Sequence, residues 1–254
     1  MNSHSTISKV PAVTLGFWII YVAATTLGET GGDAVTMTLN WGYLAGTAFF
    51  LALFIVLVVA QILTKKLQPV VYWATIVAAT TFGTAMADFA DRSLGLGYAG
   101  GSTLLFACLL AVLGVWYRSQ GTIAVNATST PKVEVFYWIA ITFSQTLGTA
   151  LGDWVSDGWD LGSARGALVF AVGLAVVAGL YLWTTTSRVL LFWAAFILAR
   201  PLGATVGDFL DQPVDQGGLA ISRPLASAAI AAFIVLCMLL MPRPVGKRPE
   251  RSTS

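Results

Sequence analysis

The chain has 254 residues, 57% of them hydrophobic and only 10% charged, with a formal net charge of +2 and a mean hydropathy of +0.79. A soluble domain carries about 25% charged residues, so the composition excludes an ordinary water-soluble enzyme or nucleic-acid-binding module and describes a polytopic helical membrane protein. Cys108 and Cys237 lie inside apolar runs without a metal-binding CxxC, and the one histidine, His4, sits in the polar N-terminus, which argues against His-ligated zinc, copper or haem.

In chain order, "MNSHSTISKV" lacks the basic, apolar and small-residue cleavage pattern of a signal peptide, so the first span is expected to be retained. Eight transmembrane helices are expected at 12–38, 43–64, 70–90, 98–117, 134–156, 164–186, 189–210 and 220–241. They divide the chain into an N-terminal segment 1–11, a first half 12–118, a linker 119–133, a second half 134–241 and a basic tail 242–254. On this reading ten basic residues fall on one side: Lys9, Lys65, Lys66, Arg118, Lys132, Arg188, Arg243, Lys247, Arg248 and Arg251. Only Arg92, Arg165 and Arg223 fall on the other. The asymmetry predicts both termini in the cytoplasm of a multi-pass inner-membrane protein.

Trp18, Trp73, Trp138 and Trp193 each stand ten residues before Gly28, Gly83, Gly148 and Gly203; five residues further on come Asp33, Asp88, Asp153 and Asp208, and nine beyond those Gly42, Gly97, Gly162 and Gly217. The pattern W-x9-G-x4-D-x8-G therefore occurs four times, at steps of 55, 65 and 55 residues, and the halves superpose at a shift of 120. Internal repetition on this scale defines the architecture. Each unit has two spans, so successive units keep one orientation: four parallel helical-hairpin repeats in two pseudo-symmetric halves, an all-α fold. Tryptophan is expected to mark the cytoplasmic interface. Each Asp lies 15 residues later, on the order of 22 Å along a helix, in the outer half of the membrane.

The motif stretches are "LGETGGD", "FGTAMAD", "LGTALGD" and "LGATVGD". Small residues four apart, such as Gly28 and Gly32, let helix backbones approach closely. Each Asp follows the second small position, so close packing of the odd-numbered helices is expected to gather four carboxylates around one axis. Crowded carboxylates in low dielectric must protonate, pair or bind a cation. The expected cation site is Glu29, Asp33, Asp88, Asp153 and Asp208. Secondary positions are Asp91 and Asp211, one turn on, with Thr84 and Thr149 standing where the first unit has Glu29, and Gln145 and Arg200 at one repeat position. Arg200 requires a negative partner inside the membrane, and this cluster is the nearest supply. Asp157 and Asp160 add an acidic outer mouth, and Tyr43 and Tyr98 are read as interface aromatics.

"TLGETGGDAVTMTLNWGY" and the later "TLGTALGDW" resemble a bacterial family of uncharacterised, multi-span, membrane-anchored repeat proteins. The resemblance covers essentially the whole chain. A looser similarity is to cation/proton exchangers whose repeated helices carry acid–x–Gly–Asp followed by a basic and a hydroxyl residue. Here Glu29-Thr30-Gly31-Gly32-Asp33 has one extra residue, and Ala34 and Val35 take the two following places.

Oxygen donors without nitrogen or sulfur suit hard cations. The leading expectation is a transporter of a divalent cation, Mn²⁺ first, then Mg²⁺ or Ca²⁺, exported against protons. The alternatives are a transporter or receptor for a small organic solute and a non-transporting structural membrane protein. No covalent cofactor, catalytic centre or nucleic-acid partner is expected; the expected partners are the bilayer, the metal ion and protons, with a homo-oligomer compatible with the sequence.

Overall fold

The computed structural model describes residues 8–64, 66–125 and 130–240. The expectations placed on His4, Lys65, residues 126–129 of the linker and the 242–254 tail lie outside the described residues. Within them the chain is all-helical, with eight α-helices: α1 (Leu15–Asp33), α2 (Tyr43–Leu63), α3 (Pro69–Asp88), α4 (Tyr98–Gln120), α5 (Pro131–Asp153), α6 (Ser163–Trp183), α7 (Arg188–Asp211) and α8 (Arg223–Leu240). Six of them, α2, α3, α4, α6, α7 and α8, are long and apolar enough to cross a membrane. The two that fall short are α1, which carries Glu29 and Asp33, and α5, which carries Glu134 and Asp153.

Several boundaries differ from expectation for local reasons. The first and fifth helices begin later and earlier than expected because capping residues set them: Thr14 accepts from Phe17 N, and Thr130 accepts from Val133 N ahead of Pro131. The fourth helix runs on to Gln120 and stops at Gly121, which is left-handed (φ 71°). Three odd helices do not end at their motif Asp. They pass into a π-helical turn at Ala34–Thr38, Phe89–Ser93 and Trp154–Gly158, a local widening often found at functional sites. The fourth repeat has no π turn; α7 continues to Asp211, Pro213 follows, and a 3₁₀ turn spans Val214–Gln216. The last motif glycine explains itself: Gly42, Gly97, Gly162 and Gly217 all have positive φ, between 71° and 87°, where a side chain is strained.

The odd helices form a closed ring, α1 against α3, α3 against α5, α5 against α7 and α7 against α1. Its register is repeated at each seam. Gly28 packs on Thr80, Gly83 on Gln145, Gly148 on Arg200 and Gly203 on Thr25. Gly32 then meets Thr84, Gly152 meets Ala204 and Gly207 meets Glu29. Paired residues thus advance in the same sense along both helices. A Cβ at Gly28 or Gly203 would stand 2.9 Å from the neighbouring backbone, and one at Gly83 2.8 Å from it, so the ring closes this tightly only with glycine there.

The even helices correct one expectation. The two helices of a unit do not close on each other as a packed hairpin. Instead α2 packs chiefly on α3, α4 on α5, α6 on α7, and α8 returns to α1. Their outer faces are apolar and exposed, as at Leu44, Ile55, Val56, Leu168, Val172 and Leu236, which is the face lipid would cover. A second correction follows. Trp73, Trp138 and Trp193 are buried, not set in an interfacial belt. They join Phe17, Tyr72, Tyr137 and Phe192 in an aromatic layer at the N-terminal end of the ring, with α2 and α4 adding Phe54 and Trp116. Of the four motif tryptophans, Trp18 is the one partly exposed.

Because the seams are backbone contacts, Gly83→Ala is expected to cost about 1–3 kcal/mol through overpacking. Gly100→Ala, on α4 with open space around it, should be neutral or stabilising, since alanine favours helix by about 1 kcal/mol over glycine. Melting temperatures in detergent, compared with the parent protein, measure both.

Candidate functional site

Equivalent residues of the four odd helices stack as layers along the ring. Beyond the aromatic layer come Tyr21, Ile76, Ile141 and Phe196, all fully buried. Next are Thr25, Thr80, Gln145 and Arg200, also fully buried. Glu29, Thr84, Thr149 and Ala204 follow one turn on, and Asp33, Asp88, Asp153 and Asp208 one turn beyond those. Apolar residues dominate the outward faces, so the polar residues have been spent inside the ring.

Arg200 is the centre of this stack. Its Nη2 donates to Glu29 Oε2 at 3.0 Å, to Thr84 Oγ1 at 2.6 Å, to Thr149 Oγ1 at 2.5 Å and to the Thr80 carbonyl at 3.4 Å. Its Nη1 donates to the Thr25 carbonyl at 3.3 Å. One side chain from α7 therefore reaches α1, α3 and α5. Thr84 also donates to Glu29 Oε2, at 3.1 Å. The expectation that Arg200 finds the acidic cluster is met through Glu29, in a sealed ion pair. Gln145, at the same level, donates to the Tyr21 hydroxyl at 2.9 Å, and Tyr21 donates to the Phe196 carbonyl at 3.3 Å. Arg200 Nε and Gln145 Oε1 are buried without a partner among the described residues.

The threonines of the motif largely serve their own helices. Thr25 and Thr26 donate back to Val22 O, Thr80 and Thr81 to Val77 O, and Thr146 to Thr142 O. This back-bonding buries the hydroxyls at the seams without an unmet donor.

The four motif aspartates converge beyond Arg200. Asp33 lies within Coulombic reach of Asp88, Glu29 and Arg223, Asp153 of Asp88, Glu29 and Arg92, and Asp208 of Glu29, Asp153, Asp33 and Arg223. Two of them have arginine partners: Asp88 with Arg92 at 2.9 Å, and Asp33 with Arg223 at 3.6 Å. Arg223 lies closer to Asp211, at 2.8 Å. Asp153 and Asp208 have no side-chain ion pair or hydrogen bond among the described residues, and Asp33 Oδ1 and both Asp91 carboxylate oxygens are buried without partners. Glu29, the four motif aspartates, Asp91, Asp157 and Asp211 thus outnumber Arg92, Arg200 and Arg223, and negative charge is in excess. Among the described residues no three Asp, Glu, His or Cys side chains stand in the arrangement of a metal site. The expected five-acid site is divided: Glu29 belongs to Arg200, Asp33 and Asp88 pair with arginines, and Asp153 and Asp208 have no direct ion pair among the described residues.

Arg92 and Arg223 entered the sequence reading only as topology signals. The position of Arg92 four residues after Asp88 was the available clue, an i,i+4 pair on one helix face. For Arg223, which reaches back from α8, no local signal exists. The rim is stitched by one recurring pair of repeat positions. Arg92 lies over the Tyr43 ring at 5.9 Å, Tyr98 donates to Asp157 at 3.4 Å, and Ser163 donates to Gln212 at 2.6 Å. Tyr43 and Tyr98 are therefore inter-repeat contacts. Cys108 and Cys237 are both free thiols.

A ring of four repeat-related helices, with its charges gathered inside and an apolar exterior, defines a helical membrane protein of internal fourfold repeat. The chain belongs to the family described as a repeat of unknown function (DUF347), whose unit matches residues 16–66, 71–122, 136–187 and 191–244. The four matches begin at the same 55-, 65- and 55-residue steps as the tryptophan–glycine–aspartate pattern. Neither a curated protein nor a solved structure matches the chain.

Removing one partner of a sealed ion pair costs about 3–5 kcal/mol, whereas replacing both by apolar residues is often neutral. Arg200→Met is accordingly expected to lower the melting temperature sharply. Arg200→Met combined with Glu29→Leu should recover much of the loss, as thermal unfolding in detergent will show.

Proposed function

We propose that the chain is an eight-span inner-membrane transporter of a divalent cation, with Mn²⁺ the favoured cargo and protons the counter-ion. The four units are parallel repeats in two halves, and both termini face the cytoplasm. The first and fifth helices complete the span count. Their polar faces are turned into the ring, which lowers their hydropathy without exposing charge to lipid.

The observation that carries this reading is the excess of carboxylates over arginines at one end of the ring, with Asp153 and Asp208 in no direct ion pair among the described residues. Buried anions in excess must hold protons or a cation. An all-oxygen donor set favours a hard divalent ion. Arg92 and Arg223 act as tethered counter-charges that an arriving cation displaces, and Arg200 closes the ring below. Proton entry reverses the exchange by neutralising the same carboxylates. Rocking of the two halves about the Arg200 layer gives access from alternate sides.

A ligand that binds only the folded state stabilises it by about 2.7 kcal/mol at a hundred times its Kd. Mn²⁺ is therefore expected to raise the melting temperature of the purified protein by several degrees. Asp153→Asn and Asp208→Asn should abolish the shift, while Cys108→Ala keeps it. Because ligating carboxylates must be deprotonated, the shift should shrink as the pH falls. No response to Mn²⁺, Mg²⁺ or Ca²⁺ would instead give the acids a structural role, the reading that the closed Arg200 layer also fits.

A further inference from the structure

One buried ion pair lies far from the acidic end and takes no part in the scheme above. Lys9 Nζ meets Glu134 Oε1 at 2.6 Å, with both side chains at least nine-tenths buried. Lys9 Nζ also donates to the Ile62 carbonyl at 3.0 Å, and Gln61 Nε2 donates to the Lys9 carbonyl at 3.3 Å. Ser8 Oγ donates to the Val125 carbonyl at 3.3 Å, and Val10 and Val125 both enter the core that holds the aromatic layer. Trp193 Nε1 donates to the Ile123 carbonyl at 3.1 Å, seating the linker on the same end.

These contacts have a common geometry. Gln61 and Ile62 are in the last turn of α2, in the first half of the chain, and Glu134 is in the first turn of α5, in the second half. Residues 8–10 bridge that seam at the aromatic end of the ring. Neither Lys9 nor Glu134 has a repeat counterpart of its own charge: the positions equivalent to Glu134 are Thr14, Pro69 and Val189. The repeat itself therefore does not require the pair. As a stabiliser it is a poor choice, since sealing two charges costs about what their attraction returns, and apolar residues would hold at least as well. A pair that regains full hydration when separated is suited to a contact that opens.

We propose that residues 8–10 are a latch that shuts the aromatic, cytoplasmic end of the ring, and that the Lys9–Glu134 pair parts when that end opens. Its role in transport rests on the reading above; its opening does not. While closed, the segment pins the end of α2 to the start of α5 and prevents the halves from separating there. When it lifts, Lys9 and Glu134 are rehydrated and the seam is free.

The test places one reporter cysteine at Val10 in a Cys108→Ala/Cys237→Ala background and follows alkylation by N-ethylmaleimide. Lys9→Met leaves Glu134 sealed without a partner, which favours lifting, and labelling should accelerate by about tenfold or more. Lys9→Met/Glu134→Leu should label no faster than the parent, because an apolar pair keeps the seat filled. The same double variant in proteoliposomes should lose Mn²⁺ flux by about tenfold or more while retaining the Mn²⁺-induced thermal shift. Equal labelling of all three proteins would overturn the latch. Undiminished flux in the double variant would do so too, since a fixed structural contact predicts that result. If the parent neither binds nor moves Mn²⁺, the transport reading falls and the labelling rates alone decide whether the segment opens.

Discussion

Close approach at four glycines, against backbone at three of them and against the Arg200 and Pro201 side chains at Gly148, is the constraint from which the rest follows. Gly28, Gly83, Gly148 and Gly203 each accept the next odd helix against a bare Cα. Lipid offers no hydrophobic drive for helices to associate, so contact of this kind, with the dispersion and polar interactions it permits, must hold the ring together. Once the four helices are that close, whatever lies eleven, seven or three residues before the glycine and one or five after it is turned toward the interior. At one end that is aromatic; beyond it the residues are polar, then acidic. The layers are a consequence of the seam.

A strictly fourfold interior would present four identical groups at every level, and this one does not. The level that holds threonine in α1 and α3 holds Gln145 in α5 and Arg200 in α7. The next holds Glu29 once. Arg200 can therefore accept partners from three helices and fill the ring alone, where four arginines would repel and four threonines would leave a gap. The fourth unit also loses the π turn, and its second helix brings Arg223 to Asp33 and Asp211. Asymmetry is concentrated where charge must be balanced, and the apolar exterior keeps the repeat.

The sequence made the number of units, the ring of odd helices and the partner of Arg200 legible, because each depends on spacing along one helix. Other features depend on choices that spacing does not encode. Helix α2 is apolar on nearly every side, so its periodicity could not reveal that it would lean on α3 in preference to α1. Trp73, Trp138 and Trp193 read as belt residues because tryptophan suits an interface and a core equally well; neighbouring helices cover them, Phe17 meeting Trp73, Phe54 meeting Trp138 and Trp116 meeting Trp193. The π turns were hidden because Ala34, Phe89 and Trp154 have ordinary helical backbone angles, and only the hydrogen bonds after them change. Arg223 escaped because its partners lie on other helices, and Lys9 because a lone lysine near a span reads first as a topology signal.

The packing of α2 on α3, α4 on α5, α6 on α7 and α8 on α1 gives the molecule a cyclic order with no natural first unit. No unit buries its own second helix, so a lone copy would present both members to lipid largely unmatched. A circularly permuted protein that begins at α3 and ends with α2, its old ends joined by a spacer, retains every interhelical seam.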